Sequence, residues 1–400
     1  MPFRETLTTP PQRNGSHRFD RSVALAVGVA VVLVALAALR VLPVWTMPAL
    51  PWVLAASELS PVVALLALIW LAIVQWLLTR HGLWRVLVSV ALIGAAFSSV
   101  RPLLQARQVA SVLTERLPGD ARVGAPASSE PLAGVPDAPD VTERTISYAA
   151  VDGAPLTMRV FLSTDKRERR PIVIELYGGA WRGGDPGQGA TISRALAQHG
   201  YVVAAIDYRH APTFVYPAQI EDVRRSIALV RDSAPSWNGD TTRIALLGRS
   251  AGGHLAELAA FAPGDRPVQA VVALYAPWNL VEGYRDVPTP DPIDVRARIA
   301  DFMDGSPDAR PARYHEASPS SYVRPGLPPT LLLYGGRDHL VKPEFNRTAA
   351  SALWAANDRV VAIELPWSEH GFDLVPAGLG ARIAYAAIAR FLDRELTVPP

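Results

Sequence analysis

Three apolar runs before Arg101 constrain this chain more than anything that follows them. Ser22 to Leu42 is almost wholly apolar, with Arg40 near its end able to snorkel, and Pro61 to Leu78 and Leu83 to Val100 follow the same pattern. Each run approaches the roughly twenty residues that a helix needs to cross a bilayer. Buried helices of a soluble protein are the poorer reading, because these runs have no polar face to turn to water. Gln75 and Arg85 lie near run ends, and Trp45, Trp52, Trp70, Trp76 and Trp84 suit interfacial depth. Arg18 and Arg21 give the first run the outline of a cleaved signal peptide as well. Its apolar core is longer than such a peptide uses, and two more runs follow where a secreted domain would begin. Residues 1–100 are therefore expected to form an all-α membrane region with transmembrane helices over about 22–42, 61–78 and 83–100.

Basic residues set the expected orientation, since short loops rich in Lys and Arg stay in the cytoplasm. Arg4, Arg13, Arg18 and Arg21 precede the first run, and Arg80 and Arg85 bracket the turn between the second and third. The Val44 to Ser60 loop carries Glu58 as its one charge. The N-terminus is then cytoplasmic and the remainder of the chain extracytoplasmic, with Arg101 and Arg107 softening the contrast. Residues 101–140 divide into an amphipathic stretch from Pro102 to Leu117, expected as a helix near the membrane, and a Pro-, Ala-, Gly- and Ser-rich tether from Pro118 to Asp140.

Residues 141–400 read as a globular domain. A formal charge of +2 and no basic stripe with interleaved aromatics argue against a nucleic-acid partner, and the absence of cysteine removes disulfides, thiolate nucleophiles and Cys-ligated metals. Thr145 to Tyr148 and Leu156 to Leu162 flank Asp152-Gly153 as an opening hairpin. Further strands are expected at Ile172 to Leu176, Val202 to Ile206, Arg243 to Leu247, Ala270 to Tyr275, Thr330 to Tyr334 and Val360 to Leu365. Helices are expected around Ile192 to His199, Ala218 to Arg231, Gly252 to Ala262, Phe345 to Ala356 and Ala381 to Leu392. Continuous apolar strands joined by helical crossovers give an α/β class with a mostly parallel sheet covered on both faces. No internal repeat at a solenoid or propeller period is present.

Gly248-Arg249-Ser250-Ala251-Gly252 follows a strand and precedes a helix, the setting in which a G-x-S-x-G turn lifts a serine clear of the sheet. A serine hydroxyl needs a base, and His370, on the loop after the last expected strand, is placed to serve. Asp338, after the strand Thr330 to Tyr334, supplies a carboxylate to hold the imidazole. The order Ser250, Asp338, His370 puts all three on loops at strand ends. Tyr177-Gly178-Gly179-Ala180-Trp181, after another strand, offers backbone N–H groups for a developing oxyanion, joined by the N–H of Ala251. Such chemistry calls for no cofactor and no metal.

From about Thr145 to Leu392 the chain resembles the hormone-sensitive-lipase-like and kynurenine-formamidase-like carboxylesterases of the α/β-hydrolase superfamily. The resemblance rests on Gly178-Gly179-Ala180-Trp181, Asp207-Tyr208-Arg209, Tyr216-Pro217-Ala218-Gln219 with Asp222, Gly248 through Ala256, Gly336-Arg337-Asp338 and Glu369-His370-Gly371-Phe372. It implies an α/β-hydrolase fold and Gly179, Ala180 and Ala251 as oxyanion donors. Two positions depart from the family pattern: Tyr177 stands where histidine is usual, and Ala180 where a third glycine is commoner. Asp207, Arg209 and Asp222 read as structural, and His254 as a helix residue packed beneath the serine turn.

Trp181 and Trp278 are expected to wall the substrate pocket, with Tyr284, and the Pro-rich, charged insertion from Ala276 to Tyr322 to form a partly mobile cap. The expected function is hydrolysis of a small-molecule or lipid-like carboxylic ester, through an acyl-enzyme, at a membrane. An amidase, formamidase or peptidase on the same scaffold, and an envelope protein that kept the fold without catalysis, are the alternatives.

Overall fold

A computed structural model describes residues 21–118, 135–151, 153–165, 169–264, 267–356 and 359–396. Arg4, Arg13 and Arg18, Asp152 of the expected hairpin turn and most of the expected tether lie outside the described residues. The described chain begins with helices α1 (Arg21–Leu39), α2 (Leu50–Glu58), α3 (Ser60–Leu77) and α4 (Gly82–Arg116). Three of them, α1, α3 and α4, are long and apolar enough to cross a membrane. They meet through small residues, Ala26, Ala30, Ala67, Ala95 and Ala96, while Val31, Leu66 and Phe97 face outward. Small residues at the contacts let the helix backbones approach closely.

Two features differ from the sequence reading. The third apolar run and the amphipathic stretch are one helix, α4, which continues through Pro102. Proline costs that helix one N–H donor. Packing against the rest of the protein offsets the loss, because Ala106, Val109, Leu113 and Leu117 join the main core. The lower half of α4 is thus docked on the globular domain, and Arg394 donates to the carbonyl of Arg116 (3.2 Å) at its C-terminal end. The second difference is α2, in a stretch read as a plain loop.

The globular domain runs β1 (Val141–Val151), β2 (Ala154–Ser163), β3 (Arg170–Leu176), α5 (Ala190–His199), β4 (Val202–Ile206), α6 (Ala218–Ser233), β5 (Gly239–Arg249), α7 (Ala251–Phe261), β6 (Ala270–Leu274), α8 (Leu280–Arg285), α9 (Val295–Met303), α10 (Pro311–Ala317), β7 (Thr330–Gly335), α11 (Pro343–Ala356), β8 (Val360–Leu365) and α12 (Leu379–Leu396). The eight strands form one sheet in the order β1-β2-β4-β3-β5-β6-β7-β8. β1 and β2 pair antiparallel, β2 meets β4 antiparallel, and every later pair is parallel. This is the α/β-hydrolase architecture. Every residue of β4, β6 and β7 is buried, as strands covered on both faces require.

Parallel strands align their C-terminal ends along one edge, where a doubly covered sheet places its sites. The loops after β3, β5, β7 and β8 carry Tyr177 to Trp181, Ser250, Asp338 and His370 respectively. The insertion between β6 and β7, expected as a partly mobile cap, folds into α8, α9 and α10. Asn279 caps α8 through the N–H groups of Val281 and Glu282, and Ile299, Phe302, Met303 and Tyr314 are buried in the main core.

Candidate active site

Ser250 sits at φ 52°, ψ −120°, between the end of β5 and the start of α7. Such a conformation is strained for a residue with a Cβ, and the surroundings hold it. The Ser250 N–H donates to the Leu274 carbonyl (2.9 Å), and the Ser250 carbonyl accepts from His254 N–H (2.9 Å). A Cβ at Gly248 would lie 2.2 Å from the Gly252 carbonyl oxygen, and one at Gly252 would lie 2.3 Å from that of Tyr177. Both glycines are therefore demanded by the closeness of the turn.

The three expected side chains converge. His370 Nε2 is 3.0 Å from Ser250 Oγ, and His370 Nδ1 is 2.8 Å from Asp338 Oδ2. With Nδ1–H donating to the carboxylate, Nε2 presents a lone pair to the serine hydroxyl. The other Asp338 oxygen accepts from Leu340 N–H and Val341 N–H at 2.8 Å each, which fixes the carboxylate. Glu369, the other carboxylate near the ring, is turned away. It accepts from His339 N–H (2.6 Å), pairs with the His339 ring and raises that imidazole's pKa.

Gly179, Ala180 and Ala251 line the same cavity as Ser250 and His370. Gly179 has φ 141°, and a Cβ there would lie 2.0 Å from the Gly183 carbonyl oxygen. Ala180 and Trp181 both adopt positive φ, 52° and 58°, so the loop keeps a strained backbone although alanine replaces glycine. Gln188 accepts from Gly178 N–H at 2.7 Å and braces the turn. Tyr177 points away from the serine. Its ring stacks on Tyr208 with centroids 4.4 Å apart, and its hydroxyl bonds Asp207 and lies 2.7 Å from His210 Nε2. Asp222 accepts from the backbone N–H (3.0 Å) and Nε (2.8 Å) of Arg209, in agreement with a structural reading of that pair.

Sequence reasoning passed over Arg249, the variable residue of the serine turn. Its side chain is buried between Glu175 and Asp373 and bonds both; Asp373 also accepts from the Tyr275 hydroxyl and Glu175 from Ser193. Burial works against the guanidinium charge, but the two carboxylates outweigh it and raise the arginine pKa. Tyr275 in turn packs 4.4 Å from the His370 ring, so the cluster underlies both the serine turn and the imidazole. Arginine inside the serine turn, at the end of a buried strand, is the signal that could have revealed it.

The cavity over Ser250 holds about 420 Å³, within the usual range for small-molecule sites. Trp181 and Trp278 both line it, and each is also a packing residue. Trp181 stacks on Phe302 (4.5 Å between centroids), and Trp278 meets Phe261 edge to face. His254 accepts from Trp181 Nε1 (3.2 Å) and bonds the Ala317 carbonyl (2.7 Å). Burial lowers its pKa to about 4, so it is a neutral strut and not a second base. Unexpectedly, Met47, Leu50 and Leu54, from the stretch between α1 and α3, complete the wall. Among the described residues no group of three or more metal-ligating side chains is present.

The BD-FAE family profile matches residues 158–353. Esterase LipC of Mycobacterium tuberculosis is 35% identical over 243 residues, 56% of this chain and 58% of that one. A probable carboxylic ester hydrolase of the same organism, LipM, is 34% identical over 232 residues, 55% of this chain and 52% of that one. The chain thus spans little more than half the length of either relative. Among solved structures, the monoclinic form of an esterase from Pyrobaculum calidifontis superposes with TM-score 0.55 at 26% identity, covering 73% of this chain and 92% of that one.

Proposed function

We propose, for a chain whose globular domain is an α/β-hydrolase related to the hormone-sensitive-lipase-like carboxylesterases, that it is a membrane-anchored serine hydrolase cleaving carboxylic esters. The observation that carries this reading is the continuous relay from Ser250 Oγ through His370 to Asp338, with contacts of 3.0 and 2.8 Å, at the floor of a mainly apolar cavity. Ser250 Oγ attacks the ester carbonyl as His370 Nε2 takes its proton, and Asp338 stabilises the imidazolium. The N–H groups of Gly179, Ala180 and Ala251 receive the oxyanion. His370 then protonates the departing alcohol, leaving an acyl group on Ser250. Water, deprotonated by His370, attacks that acyl group and releases the acid.

Membrane anchoring through α1, α3 and α4 rests on their length and composition. The stretch between α1 and α3 packs on the globular domain, so both belong on one side of the bilayer. Three crossings give that result, and the basic residues before α1 point to an extracytoplasmic site.

Labelling with a fluorophosphonate tests the proposal. The wild-type chain is expected to label at Ser250 and to hydrolyse 4-nitrophenyl esters, with matched anilides far slower, while Ser250→Ala does neither. A wild-type chain that stays unlabelled, or one that favours the anilides, refutes the ester-hydrolase reading.

A further inference from the structure

The wall supplied by the stretch between α1 and α3 carries a consequence for the substrate. α2 is amphipathic in a particular sense: Leu50 and Leu54 face the cavity, whereas Trp52 on the same helix and Trp45 before it are about two-thirds exposed. Exposed tryptophans beside an apolar helix suit the headgroup layer of a bilayer. α3 starts at Ser60, directly after α2. The cavity wall is therefore continuous with the region assigned to the membrane interface.

The contact is built and not incidental. Val44, Leu50, Val53 and Leu54 form a small core with Leu340 and Val375 of the globular domain. Glu58, at the end of α2, is buried and accepts hydrogen bonds from Ser368 Oγ (2.6 Å) and the Gly380 N–H. Ser368 lies two residues before His370. Two glycines make room for the carboxylate: a Cβ at Gly378 would lie 2.7 Å from Glu58 Cβ, and one at Gly380 would lie 2.8 Å from Glu58 Oε2. Leu54 itself comes close to the histidine loop, 3.8 Å from where a Cβ on Gly371 would stand.

We propose that Met47, Leu50 and Leu54 form the subsite for the apolar chain of the substrate, and that the substrate class is an ester bearing one long apolar chain that enters from the bilayer. This deepens the serine-hydrolase reading and rests on it. A cavity of about 420 Å³ has room for one apolar chain beside the ester group. Its lining supports an apolar occupant: Leu340, Val341, Phe345 and Leu374 line the cavity together with the three residues of the membrane region, and the charged side chains on its wall are Arg182, Arg249 and Arg298.

The test uses the full-length chain in proteoliposomes with 4-nitrophenyl acetate and 4-nitrophenyl dodecanoate. In the wild type the dodecanoate is expected to have the higher kcat/KM. Leu54→Trp, which fills the subsite, should lower the ratio of dodecanoate to acetate kcat/KM at least tenfold, and Met47→Trp should act in the same direction. Fluorophosphonate labelling at Ser250 reports that each variant is folded. A ratio unchanged in both labelled variants, or a wild type that prefers the acetate, overturns the subsite. Failure of the wild type to label at all sinks the hydrolase reading first and the subsite with it.

Discussion

Replacing Arg249 by methionine removes the cation from between two buried carboxylates. The arginine is 1% exposed, Glu175 4% and Asp373 3%. In the wild type each acid has a second donor, Ser193 for Glu175 and Tyr275 for Asp373, but neither donor brings charge. Breaking a buried ion pair by deleting one partner costs about 3–5 kcal/mol, because the charge left behind is uncompensated. For a domain of this size that lowers the thermal midpoint by roughly 6–20 °C. The deficit depends on pH in a definite direction. Burial already raises the Glu175 pKa and Arg249 opposes that rise, so the variant's Glu175 lies higher still. An acid whose folded pKa exceeds its unfolded value keeps full stability below the unfolded value, near 4.3, and loses it as pH climbs through the folded one. The variant should therefore approach the wild type near pH 4 and fall furthest behind at pH 8. Melts of the full-length chain in detergent, followed by tryptophan fluorescence at one scan rate, read this directly. Adding Glu175→Gln and Asp373→Asn to Arg249→Met should recover more than half of the loss. A single variant melting within about 2 °C of wild type at pH 8 refutes the reasoning, since 3 kcal/mol cannot hide in so small a shift.

The remaining predictions concern the relay and two buried acids. Asp338→Asn is expected to lower kcat about 10⁴-fold by favouring the wrong imidazole tautomer; Glu369 cannot substitute, being engaged with His339, and near-full activity in a 4-nitrophenyl ester assay would contradict this. Glu58 has its pKa raised to about 7, chiefly by burial, so its contribution to stability is complete below about pH 4.5 and declines as pH rises through 7. Glu58→Gln should then lose the fall in thermal midpoint between pH 5 and 8 that this carboxyl gives the wild type, and parallel curves would count against it. Glu257 is fully buried in α7 with one carboxyl oxygen unpartnered, and burial raises its pKa well above the ordinary range. Glu257→Leu should raise stability by about 1–3 kcal/mol at pH 8, and a lower midpoint than wild type would show that the carboxyl has a partner in the working protein.

Much of this molecule was written in local patterns. β4 and β8 occupy the residues that their apolar runs marked: β4, buried on both faces, is continuous in Val, Ala and Ile, while β8, at the sheet edge, keeps the apolar run and admits Glu364 on its half-buried face. Ser250, Asp338 and His370 were legible for a related reason: each follows such a strand, and strand ends on one sheet edge meet. Helix α4 was misread at Pro102, where a local rule about proline gave way to packing of Leu113 and Leu117 against the domain. Arg249 was hidden because its two partners come from β3 and from the turn after His370, separations that no periodicity reports.

The stretch from Met47 to Glu58 was hidden differently. In a stretch read as part of a membrane region lipid is explanation enough for any apolar side chain, so Met47, Leu50 and Leu54 raised no question. Glu58 should have raised one. It was read only as a mark of sidedness, yet an acid two residues before the start of an apolar helix is costly unless something receives it. What receives it is Ser368 and the Gly380 N–H, in a loop left open by Gly378 and Gly380, one side of which holds His370. An acid in the N-terminal helical region and a glycine pair in the globular domain are thus two halves of one signal, separated by more than three hundred residues. Their union makes the N-terminal helical region a structural part of the candidate site. For that reason, trimming the chain to its globular domain should disturb the cavity as well as remove the proposed anchor.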